Sequence, residues 1–229
     1  MYMNLFSWTP FILQTMVYPF TWVGLRFFTH IRILGEENLV GHTQGVIFAV
    51  NHLSELDPIL IPATLNPFSP LMPMFYTARE RFFYEKKGLA QYFYGGTFFK
   101  LWGAYTAYVG TGDLALSLRH HIRILKKGKS VCIFPEGGKI PEGVIIEGKT
   151  GVAYLLWRTG VPVIPVAMRG HYKMTSREFC ARTRTITVSY GKPITKQELF
   201  NLRPDPGVVP TREELRTATH IIMSRIREM

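Results

Sequence analysis

The sequence is poor in cysteine and in acidic residues, and both shortages narrow the class of protein. Cys132 and Cys180 are the two cysteines in 229 residues. They suggest neither a disulfide framework nor a metal site, and a reducing, cytoplasmic setting fits. Asp and Glu number 16 against 27 Lys and Arg, which gives a formal net charge of +11. Such charge suits an anionic bilayer, nucleic acid or an acidic carrier protein. Zinc-finger spacings and RNA-recognition motifs are missing, so nucleic acid is not expected as a partner.

Charged side chains are missing from residues 1–25. A bilayer span takes about 20 apolar residues, but Pro10, Pro19 and several polar residues interrupt this stretch. Its many aromatic side chains are of the kind that favours the headgroup level of a membrane. We therefore expect two short helices that dip into one leaflet, with a full span as the alternative. Residues 1–29 would form this membrane-associating segment, residues 30–229 one further domain, and the protein would sit at the cytoplasmic face of a membrane.

Beyond residue 29, short apolar runs alternate with helical patterns. The expected strands lie near residues 31–34, 46–50, 71–77, 104–108, 130–134, 162–166 and 184–190. The expected helices lie at 57–65, 89–101, 113–127, 149–159 and 211–227, with a short one after Thr195. Apolar strands that alternate with helices predict an α/β fold, with a largely parallel or mixed sheet covered by helices.

A histidine and an aspartate, His52 and Asp57, follow the apolar run 46–50. The carboxyl end of a buried strand is where open α/β sheets usually carry their chemistry. An imidazole oriented by a carboxylate is the base half of a Ser-His-Asp triad, yet the chain contains no G-x-S-x-G nucleophile elbow. The attacking hydroxyl would then belong to a substrate, which indicates an acyltransferase. The alternative is that Asp57 is an ordinary helix N-cap placed before Pro58.

A second candidate segment, Phe134-Pro135-Glu136-Gly137-Gly138-Lys139, also follows an apolar run. Its two glycines let backbone N–H groups approach a ligand, Glu136 can hold a hydroxyl or a cation, and Lys139 can meet an anion. Taken alone, the segment is better explained as a turn that carries a solvated charge pair.

Together the two segments resemble the glycerolipid acyltransferase family typified by 1-acyl-glycerol-3-phosphate acyltransferase. The N-H-x-S-x-x-D motif of that family is matched by Asn51–Asp57, F-P-E-G-T-R-S by Phe134–Ile140, and V-P-I-V-P-V by Val161–Val166. The likeness extends over residues 30–195 with order and spacing intact.

The resemblance implies a membrane-associated O-acyltransferase in which His52 is the general base and Asp57 orients it. Substrate binding would then fall to Asn51, Ser54, Arg79, Glu136, Gly137, Gly138 and Lys139. It implies no metal or redox cofactor, acyl-CoA or acyl carrier protein as co-substrate, and membrane lipids as partners.

Four positions depart from the family pattern. Val109 stands where the family has an arginine, and Gly138-Lys139 replaces its Thr-Arg pair. Arg79 stands where the family has a lysine, so Arg79 and Lys139 keep positive charge for an acceptor phosphate. Because arginine is not freely replaceable at a bidentate phosphate site, the missing arginine weakens the case for lysophosphatidate as acceptor. Val109 and Gly138 also leave open the alternative of a noncatalytic lipid-binding protein that retains the fold.

Overall fold

A seven-stranded mixed sheet runs through the middle of the protein. The computed structural model describes residues 5–78, 97–108, 112–141, 144, 146–200 and 208–229. The strands are β1 (His30–Leu34), β2 (Ile47–Val50), β3 (Met74–Ala78), β4 (Ala104–Thr106), β5 (Ser130–Ile133), β6 (Val163–Arg169) and β7 (Thr185–Tyr190). They lie in the order β1-β7-β6-β2-β5-β3-β4, and every neighbouring pair is parallel except β6 and β7. The predicted α/β fold and all seven strands are confirmed, with β6 running three residues past its predicted end.

Helices cover both faces of this sheet. They are α1 (Leu5–Phe28), α2 (Asp57–Ala63), α3 (Thr97–Trp102), α4 (Leu114–Ser117), α5 (Arg119–Lys126), α6 (Gly151–Thr159), α7 (Ser176–Cys180), α8 (Lys196–Phe200) and α9 (Arg212–Arg227). Side chains of α1, α2 and α3 pack on one face, and those of α5, α6 and α9 pack on the other. The residues of β2 and β5 are therefore all buried, which explains their unbroken apolar sequences.

The amino-terminal segment forms one continuous helix, α1, so the prediction of two short helices is wrong. Pro10 and Pro19 both lie inside it. Between them the buried amide of Gln14 donates to the carbonyls of Met74 (2.7 Å) and Trp102 (2.9 Å) and accepts from the Met74 N–H (2.9 Å). An internal proline costs about 3 kcal/mol, and packing against the sheet offsets that cost here.

The opposite face of α1 is exposed and apolar. Large apolar side chains recur on it every three or four residues: Trp8, Ile12, Met16, Phe20, Val23 and Phe27. A helix with both the length and the apolar character that a bilayer crossing demands is not found among the described residues.

Two other helix predictions need correction. The predicted helix 113–127 is interrupted at Leu118, because the carbonyl and hydroxyl of Ser117 bond to the backbone of Tyr108 and not to the next turn. Helix α7 had not been predicted, although Thr175 and Glu178 form a capping box at its start. Of the predicted helix 89–101, residues 89–96 lie outside the described part of the chain.

The sheet order brings three carboxyl strand ends together. Strand β2 lies between β5 and β6 and is parallel to both. The loops that leave these three strands therefore meet at one edge of the sheet, and they carry both candidate segments.

Candidate active site

His52 and Asp57 form a direct pair on the loop between β2 and α2. Nδ1 of His52 lies 2.7 Å from Oδ2 of Asp57. The carboxylate also accepts from the N–H of Leu53 (2.7 Å) and from the N–H of Ser54 (3.1 Å), both on Oδ2. Asp57 is the first residue of α2 and its side chain turns back to the preceding loop; it makes no capping bond to the helix. The structure therefore favours the paired base over the ordinary N-cap.

The charge state of Asp57 fixes the tautomer of His52. Burial raises the pKa of the Asp57 carboxyl, but hydrogen bonds from His171 and His52 outweigh it and lower the pKa to about 2. An ionised carboxylate only accepts hydrogen bonds, so Nδ1 of His52 carries the proton. The other nitrogen, Nε2, then keeps a free lone pair, and the side chain is 20% exposed. This is the arrangement that a general base requires.

The second candidate segment holds His52 from three sides. The ring of Phe134 stacks on the imidazole, with the centroids 4.2 Å apart and the planes 22° from parallel. Oε2 of Glu136 accepts the His52 backbone N–H at 3.1 Å, and the N–H of Ile140 donates to the His52 carbonyl at 2.9 Å. The two segments are thus brought together and form one structural unit.

Glu136 is a buried carboxyl with a shifted pKa. The residue is 6% exposed, and burial raises its pKa to about 7. Its bond to the backbone of His52 indicates a role in positioning the base. The predicted contact of Glu136 with a substrate hydroxyl stays a prediction.

Asn51 and Ser54 use their polar atoms within the site itself. The Asn51 amide donates to the Met168 carbonyl (2.8 Å) and accepts the Met168 N–H (2.7 Å), which ties the loop to β6. The Ser54 hydroxyl donates to Oδ1 of Asp57 (3.0 Å) and accepts the Leu56 N–H (3.1 Å). Both residues therefore brace the His-Asp loop, while substrate binding by either stays a prediction.

The glycine turn of the second segment has a specific geometric reason. Gly137 adopts φ 70°, its N–H closes a turn on the Phe134 carbonyl (2.9 Å), and a Cβ here would lie 2.6 Å from Nζ of Lys149. The Lys149 side chain thus lies against Gly137, and the backbone N–H of Lys149 donates to the Pro135 carbonyl at 2.7 Å. Lys149 is a nearby cation that sequence reasoning missed, since no spacing rule connects it to the motif.

The predicted cations have different outcomes. Lys139 is half-exposed and forms an ion pair with Glu55. Arg79 and the family-departing Val109 lie outside the described residues. Within the described residues there is no group of three or more His, Cys, Asp or Glu side chains that could hold a metal ion.

His171 is the other functional residue that sequence reasoning missed. It follows β6, and its Nε2 lies 2.6 Å from Oδ1 of Asp57. The two residues are 114 positions apart, so no local motif links them. The only signal in the sequence is a histidine just beyond a buried strand.

Comparison with known proteins agrees with this geometry. The family model "Acyltransferase" matches residues 30–169, more than half of the chain. A 1-acyl-sn-glycerol-3-phosphate acyltransferase of Bacillus subtilis is 23% identical over 199 residues, which are 87% of this chain and 87% of the relative. A probable 1-acyl-sn-glycerol-3-phosphate acyltransferase of Mycoplasma pneumoniae is 22% identical over 189 residues, and the chain spans 61% of its length.

A solved structure shares the fold. It is the crystal structure of the 1-acyl-sn-glycerophosphate (LPA) acyltransferase PlsC from Thermotoga maritima, with a TM-score of 0.58 and 21% identity. The match covers 94% of this chain and 81% of that one. The family model matches residues 30–169, and both motifs lie together at one edge of the sheet. The chain therefore belongs to the glycerolipid acyltransferase family of O-acyltransferase enzymes.

Proposed function

We propose that the protein transfers a fatty acyl group from an acyl thioester, acyl-CoA or acyl carrier protein, to a hydroxyl of a lysophospholipid such as 1-acyl-glycerol-3-phosphate. The observation that carries the proposal is the 2.7 Å pair of His52 and Asp57 with its partly exposed ring. The names of the Bacillus and Mycoplasma relatives support the acceptor.

His52 and Asp57 are sufficient for both proton transfers in this reaction. Nε2 of His52 takes the proton of the acceptor hydroxyl while the oxygen attacks the thioester carbonyl carbon. The carbon–sulfur bond then breaks, and the imidazolium returns the proton to the leaving sulfur, which gives an ester and a free thiol. Ionised Asp57 stabilises the imidazolium between these steps. A thiolate is a good leaving group, with a pKa near ~8.5, so no second acid is needed.

The cations beside the glycine turn are suited to an acceptor phosphate. Lys139 and Lys149 both lie at or next to the segment that holds His52. We place the phosphate of the acceptor near them and, following the family pattern, near Arg79. Lys149 would provide positive charge close to the turn and would compensate for the family arginine that Val109 replaces in the sequence.

We also propose that α1 lies in the interface of a membrane. Its exposed apolar face, defined above, contains Phe20, which is 78% exposed, while the buried Gln14 fixes the helix to the sheet. An amphipathic helix in the headgroup plane would dock the enzyme on the layer that holds the lipid acceptor. The net charge of +11 would add attraction to the anionic lipids of a cytoplasmic leaflet.

The decisive experiment compares His52→Ala with the wild type. We expect turnover of acyl-CoA and lysophosphatidate in mixed micelles to fall at least ~100-fold, the low end for general acid–base catalysis. Thiol release and the lipid product are both measured. His220→Ala, which removes an exposed histidine of α9, is the matched control and should stay at the wild-type rate. Unchanged turnover by His52→Ala contradicts the mechanism. Lipid binding by a wild type that acylates no acceptor would favour the noncatalytic alternative.

A further inference from the structure

Asp57 is bound by a histidine on each of its two oxygens. Oδ2 faces His52, whereas Oδ1 faces Nε2 of His171 at 2.6 Å. His171 is fully buried, so it cannot touch either substrate from this position, but its partner is the residue that orients the base. The other donor to Oδ1 is the Ser54 hydroxyl at 3.0 Å.

The chain is shaped to bring His171 inward. Gly170 adopts φ 89°, and a Cβ at this position would lie 2.0 Å from the carbonyl oxygen of Thr185. Only glycine fits here, and it lets the backbone turn directly before His171. The His171 carbonyl then accepts from the N–H of Met174 (3.2 Å), and the next carbonyl, that of Tyr172, accepts from Arg184 (2.9 Å). Strand β6 and its exit loop thus hold the ring against Asp57.

Only one of the two ring nitrogens of His171 makes a hydrogen bond among the described residues. Because Asp57 is ionised and accepts only, Nε2 must carry the hydrogen. The other ring nitrogen, Nδ1, is buried without a partner within the described part of the chain. A buried polar atom without a partner is unfavourable, and an apolar side chain would fill the same space without leaving one. The Nε2–H bond to Asp57 is therefore what a histidine adds at this position.

We infer that His171 is a positioning residue for acyl transfer. Its Nε2–H holds Oδ1 of Asp57, so that Oδ2 stays directed at Nδ1 of His52. This inference rests on the proposed function, because it acts through the base. Three loops then define the site: the exit of β2 supplies the base and its carboxylate, the exit of β5 holds the ring of the base, and the exit of β6 holds the carboxylate.

The bond also affects how strongly Asp57 acts on His52. A donor on Oδ1 draws negative charge away from Oδ2, which weakens the pull of the carboxylate on the imidazolium. Without that donor, the carboxylate would bind the imidazolium form of His52 more strongly. Among the described residues, two further titratable groups face this pair. Glu136 contacts it through the His52 backbone, and the buried Cys132 thiol has a pKa that is raised by burial and by the charge of Asp57. Both are the same in wild type and in a His171 variant.

The test compares His171→Leu, which removes the donor, with His171→Gln, whose amide N–H reaches about as far as Nε2. For His171→Leu we expect kcat to fall about 10- to 100-fold, the cost of misplacing a catalytic group by about 1 Å, with KM for both substrates unchanged. The acid limb of the kcat/KM profile should move to higher pH. His171→Gln should recover most of kcat and return the acid limb to its wild-type position. Wild-type kcat in His171→Leu, or equal losses in both variants with an unshifted profile, overturns the inference.

A double variant separates this inference from the proposed function. If His171 acts through His52, His52→Ala with His171→Leu should be no slower than His52→Ala alone, and a further 10-fold loss refutes that. An active His52→Ala removes the proposed mechanism, whatever His171 does. An inactive His52→Ala beside a fully active His171→Leu removes only the present inference. If His171→Leu does not fold, His171→Gln provides the test. A kcat near the wild-type value supports the positioning role of His171, and a fall in kcat as large as that caused by Asp57→Asn contradicts it.

Discussion

The buried carboxyl of Glu136 makes an unusual prediction: its removal should stabilise the protein at alkaline pH. Burial raises the pKa of Glu136 from 4.5 to about 7. Above pH 7 the folded protein must therefore hold a buried negative charge, which the unfolded chain exposes to water. A pKa difference of this size corresponds to about 3 kcal/mol, and the folded state bears this cost above pH 7.

The sign of the pH dependence follows from which state binds the proton first. As the pH falls from 7 towards 4.5, folded Glu136 is protonated before unfolded Glu136, so the cost disappears. Glu136→Gln carries no charge in either state and keeps a carbonyl oxygen for the His52 N–H. The variant should thus exceed the wild type by up to about 3 kcal/mol at pH 8 and by less than about 1 kcal/mol at pH 5.

Thermal unfolding in detergent measures this difference. For a chain of this size about 3 kcal/mol corresponds to roughly 6–12 °C in Tm, so the expected shift is well outside experimental error. Glu213→Gln, at the exposed start of α9, is the control and should change stability by no more than about 0.5 kcal/mol at either pH. If Glu136→Gln is less stable than the wild type and the deficit grows with pH, the assignment of a buried charge is wrong. Acyl transfer by the same variant then tests whether the predicted substrate contact needs a carboxylate.

Three further predictions concern Asp57, the lysines and α1. The lowered pKa of Asp57 means that ionised Asp57 stabilises the fold above pH 3.8, and this contribution is lost as the pH falls to about 2. In denaturant unfolding, the wild type should lose roughly 2 kcal/mol of stability relative to Asp57→Asn over that range. A stability difference that does not change with pH contradicts this prediction. Lys149→Met should raise KM for lysophosphatidate ~10-fold or more, and Lys139→Met should raise it less because Lys139 already pairs with Glu55. Neither variant should change KM for an acceptor without phosphate, and an equal rise for that acceptor argues against phosphate binding by these lysines. Phe20→Asp should weaken flotation of the protein with anionic vesicles. Val40→Asp should not weaken it, because Val40 is equally exposed but lies outside α1. Equal vesicle binding by both variants excludes α1 as the membrane contact.

The sequence predicts the strands well because each contains a short apolar run, which in β2 and β5 is buried on both faces. It also predicts the pairing of the two motif segments, since both follow such runs and parallel strands present their carboxyl ends together. The extent of β6 could not be predicted in the same way. Its last residues are fixed by antiparallel pairing with β7, and the Met168 backbone is bonded by Asn51, which is distant in sequence.

Local patterns fail where a distant contact overrides them. Pro10 and Pro19 predict a broken segment, but Gln14 binds the backbone of β3 and keeps α1 continuous. His171 shows the same limit within the site, because its partner is 114 residues away and only the sheet order brings β6 beside β2. Lys149 reaches the site through the shape of one glycine turn, which no spacing rule describes.

The geometry separates the chemistry from the recognition of the acceptor. The base is held by buried groups: Asp57 and His171 are fully enclosed, and the backbone of His52 is bonded on both sides. The cations proposed for the phosphate are surface side chains, with Lys139 half-exposed and Lys149 exposed. Exposed lysines are flexible and tolerate replacement, whereas a displacement of about 1 Å at the base costs ~100-fold in rate. Changes of acceptor can therefore arise at the lysines without disturbing the base, which is how a chain that departs from the family pattern at its cations can retain an intact His-Asp pair.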